Sequence, residues 1–179
     1  MAKAGIVYIG TDDGMITLSD PGATGRWRRV GHTLQGQQIT AVQALSALEV
    51  LIATPAGLHR STDGGQSWQP IDSDTLSAQA LPFALEGNPP AMIGLQPDKN
   101  GMQRFVRSED AGATWQPAAE PTEMQGNVTV VVPAQYHRDV AWAGTAGGDV
   151  LRSDDRGRTW VIVTQGLAPV RSLAAVRLA

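Results

Sequence analysis

The octet Ser-x-Asp-x-Gly-x-Ser/Thr-Trp recurs in this chain, and no other feature limits its fold so tightly. The copies are Ser61, Asp63, Gly65, Ser67, Trp68, then Ser108, Asp110, Gly112, Thr114, Trp115, and Ser153, Asp155, Gly157, Thr159, Trp160. Each follows an arginine, at Arg60, Arg107 and Arg152. Ser61 to Ser108 is 47 residues and Ser108 to Ser153 is 45, so the octets mark one repeating unit of that length. A fixed period in this range is the signature of a repeat architecture, in which each unit buries its apolar faces against its neighbours.

The chemistry of the octet is that of a tight hairpin. A carboxylate two residues before a glycine accepts hydrogen bonds from the backbone N–H groups of its own turn. The glycine takes a positive φ that side chains resist. The tryptophan opens the returning strand and buries its ring. Equivalent turns imply equivalent jobs, so the three aspartates are read as structural rather than catalytic or metal-ligating. A worn fourth copy runs from Ser19 to Trp27; aligned on Ser19, it has Pro21 where the aspartate belongs and is expected to have lost its turn chemistry.

This octet resembles the Asp-box, or BNR, motif of sialidases, sortilin-type receptors, some glycoside hydrolases and photosystem assembly factors of the Ycf48 type. The resemblance implies an all-β fold, a β-propeller of four-stranded antiparallel blades with the box as the hairpin between the third and fourth strands. The motif speaks for fold and says little about activity.

The segments between boxes repeat as well. Short apolar runs start at Val7, Val50, Ala91 and Val140, and each precedes a glycine-containing turn of the kind that joins antiparallel strands. A further apolar segment stands before the last three, at Ile39 to Leu45, Ala78 to Leu85 and Val128 to Val132, and a fourth, Val170 to Leu178, ends the sequence. With those segments labelled A and the others B, C and D, the order is BCD, ABCD, ABCD, ABCD, A. Residues 1–179 then form one domain with four blades per chain: 5–31 plus 170–178, 38–72, 78–119 and 127–165. The last strand is expected to complete the N-terminal blade, as propellers do to hide sheet edges. Two geometries satisfy this: closure within one chain, giving a four-bladed ring, or a homodimer in which Val170 to Leu178 of one chain completes the N-terminal blade of the other, giving an eight-bladed ring about a two-fold axis. The homodimer is the preferred expectation.

Composition narrows the functions open to such a fold. A net charge of −3 leaves no basic stripe for a phosphate backbone, so nucleic acid is not an expected partner. With no cysteine, disulfides and thiolate metal sites are excluded. The run Gly5 to Gly10 reads as a first strand rather than a signal peptide, and no apolar stretch suits a membrane span, so a soluble, cytoplasmic protein is expected.

In a propeller the loops joining D to A and B to C gather at the channel face, opposite the boxes. The candidate residues there are Asp12, Asp13, Asp72 and Asp98. A pair of carboxylates about 5–9 Å apart would suit glycosidic cleavage, but no spacing in the sequence singles one out. Resemblance to sialidases implies an arginine triad, a Tyr–Glu nucleophile pair and a Phe/Tyr-Arg-Ile-Pro-like run. That run is absent, and the tyrosines are Tyr8, in an apolar strand, and Tyr136, in a box-side loop. His32, His59 and His137 are scattered, and neither a metal nor any other cofactor is expected. The sequence therefore points to a non-catalytic scaffold or interaction module, with a protein or small glycan as ligand. The alternatives are a sialidase-like hydrolase with a pocket at the channel face, and an assembly factor of Ycf48 type.

Overall fold

Short β-branched runs punctuated by glycine turns fold as strands throughout the computed structural model, which describes residues 4–71, 83–85, 90–110 and 114–178. The strands are β1 (Gly5–Thr11), β2 (Gly14–Asp20), β3 (Arg28–Thr33), β4 (Ala41–Ala44), β5 (Val50–Thr54), β6 (Gly57–Ser61), β7 (Gln69–Ile71) and β8 (Phe83–Leu85). They continue with β9 (Ala91–Pro97), β10 (Gln103–Ser108), β11 (Gln116–Pro117), β12 (Val128–Pro133), β13 (Ala141–Thr145), β14 (Val150–Ser153), β15 (Val161–Thr164) and β16 (Val170–Arg177). They make four four-stranded antiparallel sheets. Among the described residues no helix is long and apolar enough to cross a membrane.

The first sheet has the order β16-β1-β2-β3, so the tail supplies the edge strand to the sheet begun by the head. Pairing runs from Gly5↔Arg177 to Thr11↔Val170, with a register shift between Gly10 and Thr11. Gly10 lies so close to its neighbours that a Cβ there would overlap Ser172 Oγ on β16 and stand 2.8 Å from Ile39 Cγ2, so a side chain would press on both the paired strand and the second blade. The other sheets follow sequence order: β4-β5-β6-β7, β8 to β11, and β12 to β15. In the order of their β-hairpins we call them blades 1 to 4.

Every residue of β1 and β2 is buried, on both faces of the sheet, because blade 1 is sandwiched between two others. Val7, Ile9, Ile16 and Leu18 pack against Val130, Trp142 and Val150 of blade 4. Ile6, Tyr8 and Met15 face the other way, onto Ile39, Val50 and Ile52 of blade 2. A third cluster joins blades 3 and 4 through Ile93, Phe105, Leu151 and Trp160. The blades thus lie in the spatial order 2, 1, 4, 3.

One rule governs these three contacts: the box tryptophan of each blade sits on the blade before it. Trp68 packs on blade 1, where its indole N–H donates to Thr33 Oγ1 at 3.2 Å. Trp160 stacks on Phe105 of blade 3, with ring centroids 4.1 Å apart and planes 11° from parallel. Trp27 meets Trp142 of blade 4 edge to face at 4.7 Å. In two of the three contacts the arginine before a box reaches the same interface from the other side. Arg107 donates from Nε to the Arg156 carbonyl in the blade 4 box, at 2.7 Å. The Arg152 guanidinium lies over both Trp27 and Trp142, 5.7 and 5.8 Å from their centroids.

Candidate functional site

The box turns line one rim. In the first box, Asp63 Oδ1 accepts from the backbone of Gln66 and Ser67, both at 2.9 Å, while Oδ2 accepts from Ser67 Oγ. Ser61 Oγ donates to Asp63 at 2.7 Å and accepts from the Gly65 N–H at 2.8 Å. The third box repeats this geometry, with Thr159 N and Oγ1 donating to Asp155 at 2.9 and 2.6 Å and Gly157 N donating to Ser153 Oγ at 2.8 Å. In the second, Thr114 donates to Asp110 from N and Oγ1, at 2.8 and 2.6 Å; Gly112 lies outside the described residues. Hydrogen bonds to the ionised form hold these carboxyls down. Those from the Thr114 side chain and backbone bring Asp110 to about 2, and those from Ser67 lower Asp63 well below the carboxylate range. At Asp155 partial burial pushes up, and the Thr159 and Ser153 hydrogen bonds outweigh it.

The box glycine has a second function. Gly65 and Gly157 have φ of +86° and +81°, and a Cβ on them would come within 2.8 Å of Met15 and 2.6 Å of Ile93, each on the preceding blade. The positive φ is what favours glycine at this position, and the turn also presses closely on its neighbour.

The worn copy is not worn. Asp20, one residue earlier than the alignment on Ser19 places it, accepts from Thr24 N at 3.0 Å, Thr24 Oγ1 at 3.2 Å and Gly25 N at 2.6 Å. The expectation that this turn has lost its chemistry is overturned: the aspartate has moved next to the serine and kept its role. Asp20 is 3% exposed, and Trp27 docks as its counterparts do.

The opposite rim gathers the B-to-C turns with the D-to-A loops. Asp12 N–H donates to the Pro169 carbonyl at 3.0 Å, and Ile39 N–H to the Thr11 carbonyl at 2.9 Å, tying three separate loops. Asp12 takes a two-pronged contact from Arg171, at 2.8 and 2.7 Å, and a third bond from Gln38 at 2.7 Å. Hydrogen bonds from Arg171 and then Gln38 lower its carboxyl below the usual range. Asp13 Oδ1 accepts from Gly36 N at 2.7 Å, and its carbonyl meets His32 Nε2 at 2.6 Å. Asp98 caps its own turn, accepting from Asn100 N at 2.7 Å and Met102 N at 3.0 Å, and these bonds lower it as well. Asp72 lies outside the described residues. Asp12 and Asp13 therefore share one loop cluster beside blades 1 and 2, whereas Asp98 belongs to the blade 3 turn.

Several residues that organise this rim escaped the sequence reading. Arg171 and Gln38 are among them, as is Asp149, 1% exposed, which accepts from Gln125 N at 2.6 Å. A recurring threonine at the end of the B strand is another: Thr11 and Thr54 donate to the carbonyls of Gly14 and Gly57, at 2.8 and 3.1 Å, and Thr145 accepts from Asp149 N at 3.1 Å. The signal was in the sequence as Gly10-Thr11, Ala53-Thr54 and Gly144-Thr145.

On the box rim, between blades 3 and 4, a polar cleft of about 280 Å³ is lined by Arg107, Glu109, Asp110, Thr114, Gln116 and Arg158, among others. Arg107 and Arg158 both contact Glu109, the latter at 2.7 Å, and their hydrogen bonds hold that carboxyl down. Among the described residues no group of three or more His, Cys, Asp or Glu gathers to hold a metal.

Both tyrosines are buried. Tyr8 donates to the Ala47 carbonyl at 2.6 Å, and burial, helped by the Asp63 charge, pushes its phenol up to about 12. Tyr136 accepts from Trp142 Nε1 at 2.9 Å, and burial likewise pushes it to about 12.

Residues 59–70 match the family described as BNR/Asp-box repeat, and the chain carries that repeat. No curated protein matches the chain in sequence. Among solved structures it is similar to YCF48 bound to D1 peptide, with 14% identity and a TM-score of 0.29, over 90% of this chain and 78% of that one. It is also similar to YCF48 from Cyanidioschyzon merolae, with 14% identity and a TM-score of 0.26, over 86% of this chain and 66% of the other, just under two thirds of its length. The resemblance is propeller-like, a matter of fold alone.

Proposed function

We propose that the chain is a non-catalytic propeller scaffold, four blades to a chain about a central channel, whose channel-face loops present a binding surface to a protein or a small glycan. The observation that carries this reading is the employment of the ionisable groups on that face. Asp12 is held by Arg171 and Gln38, Asp13 by Gly36, and Asp98 by its own turn, so each carboxylate stiffens a loop. A general acid needs a carboxyl raised toward neutrality, and Asp12 and Asp98 are shifted the other way. A tyrosine nucleophile of the sialidase kind needs an exposed, activated phenol, whereas Tyr8 and Tyr136 are 0% and 5% exposed and pushed up to about 12. Loops fixed by internal hydrogen bonds suit recognition, because little conformational entropy is lost when a ligand docks.

The test is turnover of fluorogenic glycosides, a sialoside included. No hydrolysis above the buffer rate is expected. Turnover that Asp13→Asn, Asp72→Asn or Asp98→Asn abolishes would replace the scaffold with a glycoside hydrolase.

A further inference from the structure

The rule that seats each box tryptophan on the preceding blade has one gap. Trp115, in the blade 3 box, should rest on blade 2, yet it is 38% exposed, against 3% for Trp160. Blade 2 shows the matching vacancy. The B-strand residue paired with the box arginine is Ile93 in blade 3 and Trp142 in blade 4, and each packs in the contact with the next blade. In blade 2 that residue is Leu51, paired with Arg60 on the face turned away from blade 1. Arg60 does not clamp a following box as Arg107 and Arg152 do; it is paired with Glu49 of its own blade, its side chain 49% exposed. Leu45 and Leu48, on the A-to-B turn of blade 2, are 53% and 60% exposed. Among the described residues no hydrogen bond or ion pair joins blade 2 to blade 3, although those blades are consecutive in the chain.

The arc of blades 2, 1, 4 and 3 therefore ends in two unlike faces, a tryptophan-bearing knob and the apolar seat that the repeat builds for it. We propose that a second copy of this chain covers both, with Trp115 of each molecule seated against Leu51 of the other, beside Arg60. The occupant follows from continuity with the three blade contacts already built: the missing fourth has the same residue types in the same places. Because the two faces differ, one such contact leaves an unmatched face on each molecule. A two-fold axis makes the contact twice and leaves none. Strand exchange plays no part, since β16 already pairs with β1 of its own chain. The proposal deepens the scaffold reading, because the shared ring would set the width of the channel at which the loops are displayed.

The chain has no cysteine, so paired cysteines report the contact without background. Light scattering should give a mass near 37.8 kDa, twice the 18.9 kDa of one chain. Trp115→Glu and Leu51→Glu should each return it to 18.9 kDa with an unchanged circular dichroism spectrum, and Trp115→Phe should keep the dimer. The double variant Leu51→Cys, Trp115→Cys should oxidise to a covalent dimer on a non-reducing gel. A disulfide formed within one chain, or a wild-type mass of 18.9 kDa at every concentration, overturns the proposal in favour of a ring closed by a single molecule. Glycosidase activity in a 37.8 kDa particle would remove the scaffold reading and leave this contact standing.

Discussion

The flank formed by blades 1 and 4 and the flank formed by blades 2 and 3 are written in the same repeat and end in different states. On the first, Trp27, Trp142, Tyr136 and the Arg152 guanidinium interlock, with Trp142 fully buried. On the second, Trp115 follows a box in which Thr114 donates to Asp110 from N and Oγ1 as in the other copies, and it remains 38% exposed. The octet thus encodes the turn and only the readiness of its tryptophan for burial; the neighbouring blade delivers the burial. Turn chemistry is local, within five residues, whereas the seat for the ring comes from another repeat.

The sharpest way to break this contrast is to remove the closed flank's last strand. Deleting residues 170–179 strips β1 of its partner along its whole length and exposes Val7 and Ile9. The truncated chain is expected to be insoluble or aggregated by size exclusion, and a soluble, unchanged product would refute the assigned role of the tail. Next, Trp142→Ala should cost about 3–5 kcal/mol in urea unfolding. Trp115→Ala, in protein dilute enough to be monomeric, should cost less than about 1 kcal/mol, as expected where little area is buried; equal losses would erase the distinction between flanks.

The blade 1 turn offers a finer probe. Asp20→Ala leaves the N–H groups of Thr24 and Gly25 without their acceptor and should cost about 1–3 kcal/mol. No loss there would mean that the shifted aspartate is decoration. Acid should act on the box turns of both flanks alike. On one flank Asp110 is held at about 2 against an ordinary 3.8 and Asp63 is lowered too, and on the other Asp155 is lowered as well. A carboxyl depressed in the folded state contributes stability that is complete above its unfolded value and lost as pH falls through the folded one. Thermal denaturation should therefore show stability declining between about pH 4 and pH 2, with a shallower slope in Asp110→Asn. Smallest of all, Arg171→Ala removes a half-exposed ion pair and should change stability by less than about 1 kcal/mol, while loosening the Asp12 turn enough to raise its amide exchange.

Much of the fold was legible before any coordinates, because glycine turns and apolar runs recur in phase with the boxes. The tail–head sheet followed from counting segments: three runs before the first complete unit and one after the last. The aspartate at Asp20 was missed because alignment on Ser19 set the wrong frame, whereas the Asp-x-Gly-x-Thr spacing of the other boxes is intact at Asp20, Gly22 and Thr24, and Thr24 donates to Asp20 as Ser67 does to Asp63. The candidate site was harder to read. Asp12 and Asp13 were visible as loop acids, but their partners Arg171 and Gly36 come from distant segments and meet them only through the pairing of β16 with β1 and the packing of blade 2. The open Trp115 left no trace in sequence at all, since its octet matches the others.

The pairing of Gly5 with Arg177 has a bearing on synthesis. A nascent chain emerging from the ribosome can form its middle hairpins at once, but the strand of residues 5–11 must wait, one side unsatisfied, until residues 170–177 have been made. Distant partners fold late, and during that interval the exposed backbone of residues 5–11 is the part of the polypeptide most open to capture by a chaperone or by another unfinished copy.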